Sequence, residues 1–258
     1  MLSNIIQPIA DELALVEDMI KKQLIIKSGH IGMFAHLELS YTNKIIRPAL
    51  VILSSRIYGC DLKKTAALAS AFQFIYMGSR VHQGVSENDS DYSRDGCDPR
   101  DGSQFPVLVG DYLYGKFFTF LSEAGMLNLL CPLAEIICEV HEGSILRRRL
   151  NGQKHSSKLF REVVRKETAG IFAGCCFISA DVSGAPKKAR ELMKKFGLNL
   201  GMAYGLMECG VPAEKTAVYL ETARNALSLV PRAPEREIME EIVQYLSGSG
   251  VVLRRMVI

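Results

Sequence analysis

Ile5, Ile9, Leu13, Val16, Ile20 and Leu24 follow one another at spacings of three and four, with acids and lysines between them. That interval puts the apolar side chains on one face of a helix and predicts an amphipathic first helix. Gly29 and Gly32 mark a break after it. Residues 44–58 predict a second helix, with Pro48 near its start, where proline costs least. From Thr65 to His82 small and large apolar residues occupy nearly every face, the pattern of a helix buried among others. Segments 106–123, 129–149, 159–181, 187–208, 212–228 and 234–247 carry the same periodicity. The breaks fall at positions such as Asn151-Gly152 and Gly184-Ala185-Pro186. No convincing run alternates with the period of a strand. The pattern predicts one all-α domain over residues 1–258, with the polar stretch 83–105 as its longest loop.

With 258 residues, 48% of them hydrophobic, the chain can bury a sizeable core. The net charge is only +3. The tight cluster Arg147, Arg148 and Arg149 reads as a solvated helix end, so no nucleic-acid surface is expected. Seven cysteines, none in a C-x-x-C pair, favour buried thiols in a reducing compartment over a disulfide framework. Zinc-ligand spacing is absent. No apolar run reaches the ~18 residues of a membrane span. Asp11, Glu12, Glu17 and Asp18 lie where a signal peptide would be apolar. The expectation is a cytoplasmic protein.

Several segments could carry chemistry. "DYSRDG", Asp91 to Gly96, resembles the start of a calcium loop, but Gly102 stands where that loop needs a bidentate Glu. A solvated turn-rich loop is the default reading. In "NKIIRPALVIL", Asn43 to Leu53, Lys44 and Arg47 are three apart and share a helical face. Near a helix N-terminus two cations suit an anion such as diphosphate, or are two surface charges on a first turn. Asp111 lies in an otherwise apolar run and needs a partner, in a ligand site or across helices. Ala169, Gly170, Ala173 and Gly174, and the glycines of 196–210, would let helices approach closely.

In this order the segments resemble the trans-isoprenyl diphosphate synthases, or polyprenyl synthetases. The family pattern G-G-K-R-x-R-P-x-L reads "TNKIIRPAL" here, Thr42 to Leu50. H-D-D-x-x-D followed by R-R-G reads "HQGVSE", His82 to Glu87, followed by "RDG", Arg94 to Gly96. L-x-G-D-x-L is matched in full by Leu108 to Leu113. The E/Q-G-E, K-T-A and F-G-x-x-L-G-x-A-F-Q elements read Glu142 to Ser144, Glu167 to Ala169, and Phe196 to Gly205. The resemblance implies an isoprenoid-synthase-type bundle of packed helices around a central cavity. In the family, two Asp-rich motifs hold Mg²⁺ ions that grip an allylic diphosphate, and isopentenyl diphosphate attacks the cation formed when the diphosphate leaves. The high charge of that leaving group is what demands metals and basic residues.

This chain departs from the pattern where the metals would bind. Gln83 and Gly84 replace two adjacent acids, and Glu87 remains. Asp95 replaces the second Arg, Glu167 the Lys of K-T-A, with Lys166 adjacent, and Tyr76 a His. Glu208 matches one Asp of the second motif, Cys209 follows, and the chain is read as shortened after about residue 209. The reading is therefore a prenyl-synthase homologue inactive by itself, acting as partner or regulatory subunit of an active polyprenyl diphosphate synthase. The alternatives are an atypical prenyltransferase and an isoprenoid- or lipid-binding protein using the same cavity. Lys44, Arg47, His82 and Arg94 are the expected relics of a diphosphate site, weak toward an isoprenoid diphosphate. No catalytic residue, metal ligand or cofactor is expected, Mg²⁺ entering only with residual activity. Phe117, Phe118, Leu121, Leu127, Leu130 and Ile137 are the expected docking side chains, with Phe117 toward the partner, in a homodimer or a heterodimer with an active synthase.

Overall fold

A computed structural model of the chain describes residues 1–85, 100, 104–150 and 158–248. The described residues form a helical bundle. α1 (Leu2–Ile5) and α2 (Ala10–Gln23) lead, joined by a 3-10 turn at Gln7–Ile9. A two-stranded antiparallel hairpin follows, β1 (Ile25–Ile26) on β2 (Gly29–His30), with Ile25 opposite His30. The sequence pattern predicted no strand. Two-residue strands are too short to leave an alternation, and Gly29, at φ 118°, supplies the left-handed turn.

α3 (Tyr41–Tyr58) begins earlier than the apolar periodicity suggests. Ser40 caps it, its hydroxyl accepting from the Asn43 N–H at 3.2 Å, and left-handed Gly59 ends it. Pro48 consequently lies two turns inside the helix rather than near its start, and one main-chain hydrogen bond is forgone. α4 (Leu62–Gln83) is capped by Asp61 and is almost wholly buried from Thr65 to Val81. It packs against α2, α3, α5 (Gln104–Glu123), α6 (Leu130–Arg148) and α8 (Gly170–Val182). The segment expected as one helix over 159–181 is α7 (Lys158–Val164), a π turn at Arg165–Ala169, and α8.

α9 (Lys187–Glu208) lies along α8, with Gly197 and Gly201 against Phe172 and Gly205 against Val164 of α7 and Thr168 of the π turn. A β-carbon on Gly201 would fall 2.7 Å from the Ala169 Cα, and one on Gly205 2.8 Å from the Val164 side chain. This glycine stripe sets the close approach that carries Tyr204 and Glu208 toward α3. α10 (Ala217–Leu227), entered by a 3-10 turn, and α11 (Pro234–Ser247) complete the described bundle. No described helix is long and apolar enough to cross a membrane.

Candidate functional site

Asn43 sits in the first turn of α3, 1% exposed, and joins three helices. Its side-chain N–H donates to Glu208 Oε1 on α9 at 2.8 Å. Its Oδ1 accepts from the Tyr204 hydroxyl at 2.9 Å and from Arg47 Nη2 at 3.3 Å. Its carbonyl accepts from Arg47 Nη1 at 3.1 Å and from Gln73 Nε2 on α4 at 3.0 Å. The Arg47 guanidinium, 1% exposed, lies 3.2 Å from the centre of the Tyr76 ring and 5.6 Å from that of Phe172. Burial raises the Tyr204 pKa well above the ordinary value, and the Glu208 charge adds to that rise, so the phenol is a donor here.

Lys44 and Arg47 therefore do not act as one cationic face. Arg47 points into the core and Lys44 into solvent. The helix begins three residues before Lys44, so Arg47 is already in its second turn, against α4 and α8.

The amide that replaces an acid at the end of α4 is held on both sides. Arg80 donates to Gln83 Oε1 at 2.8 Å, and Gln83 Nε2 donates to Ser144 Oγ at 3.0 Å. Ser144 in turn donates to the Val140 carbonyl at 3.1 Å. Ser144 stands where the E/Q-G-E element has its second Glu. Two carboxylate positions have thus become a neutral pair bonded to each other.

Glu167 is also internally satisfied. Arg147 Nε lies 2.8 and 3.0 Å from its two oxygens, with the Glu167 side chain 1% and the Arg147 side chain 31% exposed. A β-carbon on Gly143 would come 2.9 Å from Glu167 Cγ, so that glycine makes the room. Burial works to lower the Arg147 pKa, but its bonds to Glu167 outweigh this and raise it. Arg147 is thus an ion-pair partner and not part of a solvated helix end. Lys166 reaches Glu142 at 2.7 Å and Glu139 at 3.6 Å.

His82 lies elsewhere, between α4, α5 and α6. Its Nε2 is 3.3 Å from Asp111 Oδ1 and 3.3 Å from the Val107 carbonyl. Asp111 itself is 66% exposed at the side chain, so its partner is this histidine at the surface. The ring lies 5.3 Å from Tyr114 and 5.7 Å from His141. Tyr114 Oη is 2.8 Å from Ser79 Oγ and 2.7 Å from His141 Nε2. Burial pushes the Tyr114 pKa up to about 12. Arg94, with Glu87 and Asp95, lies outside the described residues.

The geometry thus separates the expected site residues. It places Asn43 and Ser144, which the sequence reading did not single out, and Arg147, expected on a solvated helix end, at the bonds that matter. Asn43 and Ser144 had a signal, since each replaces a pattern residue of different chemistry, a glycine and an acid. Among the described residues no group of three or more His, Cys, Asp or Glu is arranged to hold a metal. An amide, a glycine and a carboxylate already bonded to Asn43 are a poor donor set for Mg²⁺, which prefers carboxylates and water.

The polyprenyl synthetase family model matches residues 34–208. The chain is 28% identical over 203 residues to heptaprenyl diphosphate synthase component 2 of Geobacillus stearothermophilus, covering 78% of this chain and 63% of that protein. It therefore matches less than two thirds of that relative's length. A decaprenyl diphosphate synthase from Rhodobacter capsulatus has the same fold, with TM-score 0.77 and 19% identity over 96% of this chain and 98% of that chain. So has a deletion mutant of the heterotetrameric geranyl pyrophosphate synthase of mint, with TM-score 0.70 and 20% identity over 92% of this chain and 99% of that one. With its motifs in family order, on helices that superpose on these synthases, the chain belongs to the polyprenyl synthetase family.

Proposed function

We propose that this chain is a partner subunit of an active prenyl diphosphate synthase and transfers no prenyl group itself. The observation that carries the reading is the internal pairing of the polar groups. Arg47 and Glu208 bond to Asn43, Gln83 bonds to Ser144, and Glu167 pairs with Arg147. A diphosphate entering there would have to break those contacts and would find an amide and a glycine in place of two metal-binding acids. Lys44 and Arg47 are then at most a weak diphosphate site.

The names of two similar proteins, one a component and one a heterotetramer, support a multi-subunit setting. So does the apolar surface of α5 and α6, where Leu108 is 64%, Phe118 47% and Ile145 60% exposed. The test is to incubate the pure chain with Mg²⁺, labelled isopentenyl diphosphate and allylic diphosphates of several lengths. No extended product is expected, and metal-dependent extension by the pure chain overturns the proposal. Co-expression with a motif-complete synthase should give a complex that co-elutes on gel filtration. Separate elution at micromolar concentration removes the subunit role.

A further inference from the structure

The first half of α9 carries a positive charge that no bond within the described chain uses. Lys187, Lys188, Lys194 and Lys195 are exposed there, and Glu191 is the one exposed acid among them. At the pitch of a helix these five positions fall within about 120° of one another and form a single face. None of the four lysines is ion-paired with a described acid. Lys194 instead lies 5.3 Å from the centre of the Phe177 ring on α8. The remaining cation of the stretch, Arg190, is bonded to Asp181, the one charged residue of α8.

An apolar side chain stands beside this face. Leu229, in the connection between α10 and α11, is 67% exposed, and Pro231 and Arg232 after it are exposed too. The connection is anchored, since Val230 is buried and its carbonyl accepts from Arg236 Nη1 at 2.8 Å. Tyr219, early in α10, packs on the cluster that holds Leu206, late in α9. From there α10 runs back along α9. About ten residues forward from Tyr219 and about ten back from Leu206 cover the same length, which brings Leu229 level with Lys195. Glu221 and Arg224, exposed on α10, offset each other.

We infer that this face of α9, with Leu229 and Arg232, docks the folded chain on an anionic lipid bilayer. The lysines meet the headgroup phosphates while their stems stay in the interface, and Leu229 enters the acyl boundary. A nucleic acid uses only the charge and leaves the leucine in water. An apolar protein surface uses only the leucine and leaves four ammonium groups uncompensated. The face belongs to other helices than the exposed surface of α5 and α6, and docking through it does not depend on whether the chain transfers prenyl groups.

The full chain is sedimented with vesicles of phosphatidylcholine, alone or mixed with phosphatidylglycerol. Binding to the mixed vesicles is expected at low salt and is lost at high salt. Lys187→Ala with Lys188→Ala removes two cations and weakens it roughly thirtyfold. Lys21→Ala with Lys22→Ala makes the same change of charge on α2 and leaves it nearly unchanged. Leu229→Ser weakens it about tenfold while circular dichroism stays the same. Failure to sediment with the mixed vesicles, equal binding to phosphatidylcholine alone, or equal loss from the α9 and α2 pairs overturns the inference. So does a Leu229→Ser chain that binds like the parent, or tighter binding to a homopolymeric RNA. A dimer that Leu229→Ser splits, read by light scattering, assigns the patch to a second copy and overturns it as well.

Discussion

Where α3, α4 and α9 meet, Asn43, Arg47 and Tyr204 are buried and spend their hydrogen bonds on one another and on Glu208. Along α5 and α6 the opposite holds. Leu108, Phe118 and Ile145 lie in solvent while a few residues away Leu113, Phe117 and Leu121 are sealed in the core. The first region has the composition of a binding site and none of its availability. The second has the availability of an interface. A buried polar group is costly without a partner, and Asn43, Tyr204, Glu208 and the Arg47 Nη atoms have found each other, while Arg47 Nε has not. An apolar surface meets no such demand within the chain, and covering it requires a second molecule. Polar groups bonded to one another and an apolar surface left in solvent thus lie side by side in the same fold.

The sharpest way to break this contrast is at two adjacent phenylalanines. Phe117, 0% exposed, was expected at the partner, and the structure puts it in the core. The helix turns about 100° per residue, so its neighbour Phe118, 47% exposed, faces outward instead. Phe117→Asp buries a carboxylate without a partner and is expected to cost on the order of 5 kcal/mol, enough to unfold many domains. Phe118→Asp is expected to change stability within about 0.5 kcal/mol while weakening self-association or capture of a synthase. Urea unfolding and light scattering on both variants decide it. A folded Phe117→Asp chain that dissociates would mean that Phe117 faces the partner after all.

Asn43→Ala probes the other region. It leaves Glu208 without its Asn43 donor and removes one acceptor each from Tyr204 and Arg47. We expect a loss of about 3 kcal/mol. At about 2–4 °C per kcal/mol for a chain of this size, thermal unfolding should fall by about 6–12 °C. A shift of a degree or less would mean that the junction is not held by this residue. The Gln83–Ser144 bond is weaker. The double cycle of Gln83→Leu and Ser144→Ala should show a coupling of about 1 kcal/mol, and additivity of the two changes would show that the pair is not coupled.

Much of the fold could be read in advance because burial in helices repeats with a fixed period. Thr65 to His82 looked apolar on every face and is the helix at the centre of the packing. The hairpin was invisible because four residues carry no period, and the π turn because its residues keep helical spacing. The site was legible only in outline. That Gln83, Gly84 and Glu167 break a pattern is a fact about residue types. What occupies the vacated roles depends on contacts between distant segments. Arg147, read as a solvated cation, pairs with Glu167 across twenty residues, and Asn43 reaches Glu208 across 165. The split between Lys44 and Arg47 was missed because three-residue spacing gives a shared face only when the helix start is known.

The smallest expected effect lies at the edge between the two regions, where His141 meets α4 and α5. His141 Nε2 lies 2.7 Å from the Tyr114 hydroxyl, whose oxygen is 2.8 Å from Ser79 Oγ. The groups facing it are Tyr114, the His82 ring and, through His82, Asp111. Burial first, and the neighbouring His82 second, hold the His141 pKa below its ordinary 6.5. The unfolded imidazole therefore takes up a proton at higher pH than the folded one. Above pH 6.5 both are neutral and the residue contributes nothing to the pH dependence. As pH falls below that value the unfolded chain binds more protons, so stability declines until the folded form titrates too. Protonation makes both ring nitrogens donors, so in the charged form Nε2 donates to the Tyr114 oxygen. His141→Phe keeps the ring and removes the titration. Its unfolding midpoint should start lower at about pH 7, for want of the Tyr114 bond, and fall less than the parent's toward about pH 5.5. Parallel declines would exclude His141 as the source of acid sensitivity.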